Sequence, residues 1–262
     1  MNSVRMATSI AILLFANTAS PSPRENGCLR ASIAHERTAP KNNGLERQQQ
    51  QLAAAADNID ALVRRIAAAT PSLPPIVVEL RPRSGAVLAR PGCGAVHHGT
   101  LVFGMEAYSR LKPLGDESLE FIVAHEIGHF LQYQSDTALR DAVCNHEKLN
   151  VRSLELMADF LAGFLVWSQD DEETPGRMNL MLTISSLSDY EFTNVSHHGT
   201  VTERNSAFGM GQYARFADKS LDMRALMRKV DFFDEFIFAG TPKGTYAEQD
   251  RAFREVLEDL FR

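Results

Sequence analysis

The chain has 262 residues, enough for one sizeable domain with extensions, and its 44% hydrophobic share suits a folded globular protein. A formal net charge of −6 with no basic stripe argues against general nucleic-acid binding. Cys28, Cys93 and Cys144 fit neither a zinc-ribbon nor a thiol-redox spacing.

The N-terminus reads as an export signal. Arg5 supplies a short positive region, residues 8–16 an apolar core, and Ala19 a cleavage position, although Asn17 is not the small neutral residue usual two places earlier. Residues 1–19 are therefore predicted to be a signal peptide of a periplasmic or secreted protein, with an ordinary N-terminus of a cytoplasmic protein as the alternative. The apolar core is shorter than the roughly 20 residues that a bilayer needs, and no later stretch qualifies, so no transmembrane span is expected in the mature chain. Cys28 follows the polar run 24–27, which argues against lipid attachment there.

Residues 20–44, rich in Pro, Ser, Asn and charge, read as a linker. Over 45–70 an amphipathic helix is predicted, with Leu45, Leu52, Ile59 and Ile66 one heptad apart and Leu62 and Val63 broadening the stripe. So few heptads favour a helix lying on the domain over a coiled coil. Pro71, Pro74 and Pro75 end it and introduce a strand at 76–80. With a second strand at 101–105 it would form a small sheet against the next helix, offering an edge to an extended peptide. His97 and His98, just before that strand, are expected at the surface.

Residues 116–131 predict a largely buried helix, apolar at Leu119, Phe121, Ile122, Val123, Ile127, Phe130 and Leu131, with Asp116 as its N-cap. Within it stands His125-Glu126-Ile127-Gly128-His129. With 3.6 residues per turn, His125 and His129 project from one face and can grip one ion. Glu126, about 100° round the axis, can reach a water on that ion without being a ligand. An HExxH run on a helix is how hydrolytic zinc sites are built. The alternative is two core histidines satisfied by hydrogen bonds. Gly128 costs about 1 kcal/mol relative to alanine, which close approach of a neighbouring element would explain.

Residues 153–167 predict another apolar helix, whose only charges, Glu155 and Asp159, lie one turn apart. Carboxylates there are costly unless each meets a cation or a donor. Glu155 as third zinc ligand answers the first cost. Asp159 accepting from the free ring N–H of a ligand histidine, expected to be His125, answers the second and fixes that ring's tautomer. The alternative has both facing solvent or pairing with Arg140 or Arg152.

HEIGH at 125–129 followed by ELMAD at 155–159 resembles the gluzincin metallopeptidases, whose signature is HExxH and then ExxAD on the next long helix. The nearest likenesses are to the bacterial neutral zinc metallopeptidases and to HtpX-like and CAAX-prenyl-protease-like peptidases. AHEIGHFLQ at 124–132, LELMADFLAGFLVW at 154–167, and His198-Gly199-Thr200 followed by Glu203-Arg204 are similar to the neutral zinc group. Residues 99–105 are similar to the edge strand and loop before HExxH in both. The resemblance covers about residues 75 to 218. It departs in lacking the transmembrane helices of the prenyl-protease type and in the doubled His197-His198. It implies a zincin-like fold, zinc, and hydrolysis of a protein or peptide substrate with Glu126 as general base. It also implies His198 as the oxyanion donor, or instead as a fourth ligand closing the site. Arg204 would orient that loop or pair with a carboxylate of the cleft.

By composition alone, residues 196–200 form a loop. After Gly211 the chain is expected to return to helix at 213–216, 221–238 and 246–261, capping the core. Cys93 and Cys144 could form a disulfide in an oxidising compartment or remain free thiols. A cysteine upstream of HExxH is the third ligand in peptide deformylases, but the PGCGA context of Cys93 lacks their flanking residues. The predicted whole is α+β and mostly helical, with a zinc metallopeptidase domain over 71–262, a small sheet and an extra N-terminal helix; the oligomeric state is left open. Two rivals stand: a catalytically silent zinc-binding regulator or binding module, and a metal-free helical protein with a coincidental motif.

Overall fold

The structure, a computed structural model, describes residues 42–217 apart from 69, 71–72, 74, 95–97, 148, 150, 167–175 and 189–197. The predicted signal peptide, nearly all of the linker, and the helices predicted at 221–238 and 246–261 lie outside the described residues.

Helix α1 (Asn42–Ala68) starts three residues before its predicted boundary. Ile59, Leu62, Val63 and Ile66 are buried at helical spacing and join the main core, so α1 lies along the domain against α3 and β1. The strand predicted at 76–80 is β1 (Ile76–Arg81), and the one at 101–105 is β3 (Gly99–Gly104), which ends as Met105 opens helix α2 (Met105–Leu111). Between them runs an unpredicted strand, β2 (Val87–Arg90). The sheet order is β1-β3-β2. β1 pairs parallel to β3 with Val78 beside Leu101, and β2 pairs antiparallel with Ala89 beside Leu101. Val78, Leu80, Val87, Ala89, Leu101 and Phe103 turn one face of this sheet into the core, where β2 packs against α3.

Helix α3 (Asp116–Ser135) is buried almost continuously from Ser118 to Gln132, because the sheet, α1, α5 and α6 surround it. Its N-cap is Gly115, not Asp116. The chain leaves a 3-10 turn at Lys112–Leu114 with φ 111° at Gly115, a conformation that glycine adopts without steric cost. Asp116 and Glu117 fall in the first turn, where the helix dipole favours acids. Helix α4 (Thr137–Cys144) follows, capped by Asp136, whose side chain accepts from the Leu139 amide at 3.0 Å.

Helix α5 (Val151–Leu165) begins two residues before the predicted 153. Helix α6 is Gly176–Ser186 and helix α7 is Val201–Ala217. The expectation that helix resumes only after Gly211 is corrected, since α7 starts ten residues earlier. Thr200 and Glu203 form its capping box: Thr200 Oγ1 accepts from the Glu203 amide at 3.2 Å, and the Glu203 carboxylate accepts from the Thr200 amide at 2.9 Å. Gly211 is no helix breaker. A Cβ there would lie 1.9 Å from the Phe160 carbonyl oxygen, and one at Gly163 would lie 2.0 Å from that of Phe208. The two glycines let α5 and α7 pack backbone on backbone.

Cys93, just after β2, and Cys144, ending α4, form a disulfide with an S–S distance of 2.05 Å. No helix among the described residues is long and apolar enough to cross a membrane.

Candidate metal centre

Gly128 is the hinge on which the centre is built. A Cβ on it would meet the Ala158 Cα and carbonyl oxygen at 3.1 Å and Leu161 Cβ at 3.3 Å, so its absence lets α5 cross closely over α3. The close approach expected from the sequence is therefore that of α5. It lays Glu155, one turn before Ala158, over the two histidines. His125 Nε2 lies 3.3 Å from Glu155 Oε2, and His129 Nε2 lies 3.5 Å from Glu155 Oε1. One ligand atom from each of His125, His129 and Glu155 falls within 4.8 Å of the others, and the three side chains could hold a metal ion. Two donors each about 2.0–2.1 Å from a tetrahedral ion lie about 3.3 Å apart, and each histidine nitrogen comes within 3.5 Å of one or other Glu155 oxygen.

Burial decides the electrostatics. The side chains of His125, His129 and Glu155 are 7% exposed or less, and Glu126 is wholly buried. Burial works against a charged His125, but hydrogen bonds to Asp159 and Glu155 overcome it and raise its pKa to about 9. For Glu155 burial again opposes charge, and the two imidazoles reverse it, holding the carboxyl well below its usual range. Glu126 goes the other way. Burial pushes it up, while His129, His125 and the Ala89 backbone on β2 offset this only in part. Neither of its oxygens makes a hydrogen bond of ordinary geometry. A buried carboxylate with unused lone pairs beside a group that could hold a metal ion is suited to accepting a proton.

Around the three sits a second tier of partners. Asp159 Oδ1 is 2.8 Å from His125 Nδ1, the pairing expected from the sequence. Arg204 Nε donates to Asp159 Oδ2 at 2.8 Å and its Nη2 to Oδ1 at 2.9 Å. Its Nη1 donates to the Leu187 carbonyl at 3.0 Å and lies 3.5 Å from Glu155 Oε2. Of the two roles the resemblance gave Arg204, this is pairing with a carboxylate. The alternative of solvent-facing acids does not hold: Arg140 pairs with Asp141, and Arg152 with Glu203.

His198 is half-buried in the loop entering α7 and is not among the converging ligand atoms. The next residue, Gly199, has φ 97°, and a Cβ on it would meet Leu156 Cδ2 at 3.0 Å and Arg204 Cγ at 3.3 Å. Glycine is thus required where the loop presses between α5 and α7. His197 lies outside the described residues, as does His97, while His98 is exposed. Cys93, bonded to Cys144, cannot act as the deformylase-type thiolate ligand.

Gln132 escaped the reading of individual residues. One turn beyond His129 and 2% exposed, it places Oε1 2.8 Å from His129 Nδ1 and donates from Nε2 to the Leu154 carbonyl at 2.8 Å. The signal was a polar residue on the buried face of a helix, at i+3 from a candidate ligand. Tyr133 stacks on the same imidazole, with ring centroids 6.1 Å apart and planes 14° from parallel.

Compared with models of protein families, with curated proteins and with solved structures, the chain matches none.

Proposed function

We propose that this chain is a zinc-dependent endopeptidase with a zincin-like domain of the gluzincin type, acting on protein or peptide substrates. The observation that carries the reading is the convergence of His125, His129 and Glu155 on one point, with the buried, unbonded carboxylate of Glu126 beside them. When bound, zinc would supply a Lewis acid for the scissile carbonyl and lower the pKa of a water towards about 7.

The protein's own groups do the rest. Glu126, its pKa raised by burial, takes a proton from the attacking water and passes it to the leaving amine. Asp159, held by Arg204, keeps the His125 ring in the orientation that leaves Nε2 facing the other ligands. β2 is the edge strand packed against α3, and its Ala89 backbone faces Glu126, so an extended substrate adding to β2 would bring its peptide bonds to the centre. His198 is the proposed donor to the oxyanion that develops on the carbonyl. A periplasmic or secreted location accords with the Cys93–Cys144 disulfide, a bond that oxidising compartments maintain.

Near-complete burial of all four residues favours a second reading, a zinc-binding module without turnover. Glu126→Gln separates the two. Metal analysis should find zinc retained, while cleavage of an unfolded protein substrate falls by about 10²–10⁴-fold. Wild-type protein that holds stoichiometric zinc yet cleaves nothing would establish the silent module. Wild-type protein that takes up no metal would overturn both.

A further inference from the structure

We infer that Gln132 is a positioning residue of the metal centre, transmitting the polarity of the Leu154 backbone carbonyl to the His129 ring and so dictating which ring nitrogen is free. The inference rests on the reading of His125, His129 and Glu155 as metal ligands, but its core is a hydrogen-bond sequence that can be tested without metal.

The chain of constraints starts on α5. A backbone carbonyl can only accept, so the Gln132 atom 2.8 Å from the Leu154 oxygen must be the amide NH₂. The other end of the amide is then the carbonyl Oε1, which also can only accept. It lies 2.8 Å from His129 Nδ1, so Nδ1 must carry the hydrogen. A neutral imidazole has one N–H, so His129 Nε2, 3.5 Å from Glu155 Oε1, is the nitrogen left free for a metal ion at the cluster. No other tautomer satisfies all three groups.

His125 is oriented by another route. Its Nδ1 meets a carboxylate, Asp159, whose charge is matched by Arg204. His129 instead meets a neutral amide, which needs no counter-ion and adds no negative charge to the cluster. The amide also spans two elements. It joins the α3 histidine to the residue preceding Glu155 on α5, so two ligands from different helices are held in register by one side chain. A residue that merely glued α3 to α5 would need only the Leu154 bond.

Two measurements decide it. First, in wild-type protein stripped of metal, at a pH where His129 is neutral, nitrogen-15 spectra of labelled histidine should place the proton on Nδ1 of His129. A proton on Nε2 would overturn the inference, and this result stands whether or not the protein binds zinc. Second, Gln132→Met keeps the length and apolar packing of the side chain while removing both hydrogen bonds. Its zinc dissociation constant, measured by competition with a chromophoric chelator, should rise 10–100-fold relative to wild type. A change within twofold, with the melting temperature lowered equally in zinc and in chelator, would reduce Gln132 to a structural tie and overturn its positioning role. Wild-type protein with no zinc affinity would instead sink the metal reading, leaving the tautomer result to judge the Gln132 sequence by itself.

Discussion

Arg204 grips Asp159 with two N–H donors, Nε to Oδ2 at 2.8 Å and Nη2 to Oδ1 at 2.9 Å, and both side chains are sealed from solvent. Either charge alone would be very costly in that position; together they are tolerable because the geometry is bidentate and further partners use the remaining capacity. Arg204→Met should therefore leave Asp159 an uncompensated buried anion and cost about 3–5 kcal/mol in denaturant unfolding. The double variant Arg204→Met/Asp159→Asn should cost clearly less than the sum of the two single changes, since the second removes the charge that the first stranded.

Glycines in α7 give a sharper contrast. Gly211→Ala puts a methyl 1.9 Å from the Phe160 carbonyl oxygen, and only separation of α5 from α7 relieves it. It should lose about 2 kcal/mol or more and weaken the proposed zinc binding as Arg204 is drawn off Asp159. Gly209, two residues earlier in the same helix, has nothing within 4 Å of its missing Cβ. Gly209→Ala should raise stability by about 1 kcal/mol through helix propensity alone. Thermal unfolding of the pair tests both signs at once.

Acid should loosen the start of α7. Burial opposes charge on Glu203, but Arg152 and the Thr200 amide more than offset it and lower its pKa from the usual 4.5. A group depressed on folding stabilises the fold fully above its unfolded value and loses that contribution as pH falls through the folded one. Stability should thus drop below pH 4.5, and Glu203→Gln should flatten that part of the profile while lowering stability at neutral pH.

Replacing Cys93 by Ser should cost about 2–4 kcal/mol, the usual worth of a disulfide closing a long loop. Zinc content should be unchanged, since the proposed ligands are His125, His129 and Glu155, the three side chains that could hold a metal ion. Loss of metal in that variant would revive the thiolate-ligand arrangement.

What could be read from the sequence follows from where charge is expensive. His125, Glu126, His129, Glu155 and Asp159 stood out because ionisable groups on apolar helices demand partners, and that demand anticipated the Asp159–His125 contact. Gln132, uncharged, raised no such demand and went unnoticed although it binds as directly. β2 was invisible because its four residues, Val87–Arg90, carry too short an alternation to register. The start of α7 was misplaced because helix was expected to resume only after Gly211, whose role is close helix packing that no single-chain pattern reveals.

The disulfide has one more effect. It ties residues 93–144 into a covalent ring that contains His125, Glu126 and His129, while Glu155, Asp159 and Arg204 all follow it in the chain. The centre is thus divided between a closed loop and an open tail. Were the tail to peel back from its C-terminal side, the acidic and guanidinium groups would depart together, and the imidazole pair would stay behind inside an intact macrocycle.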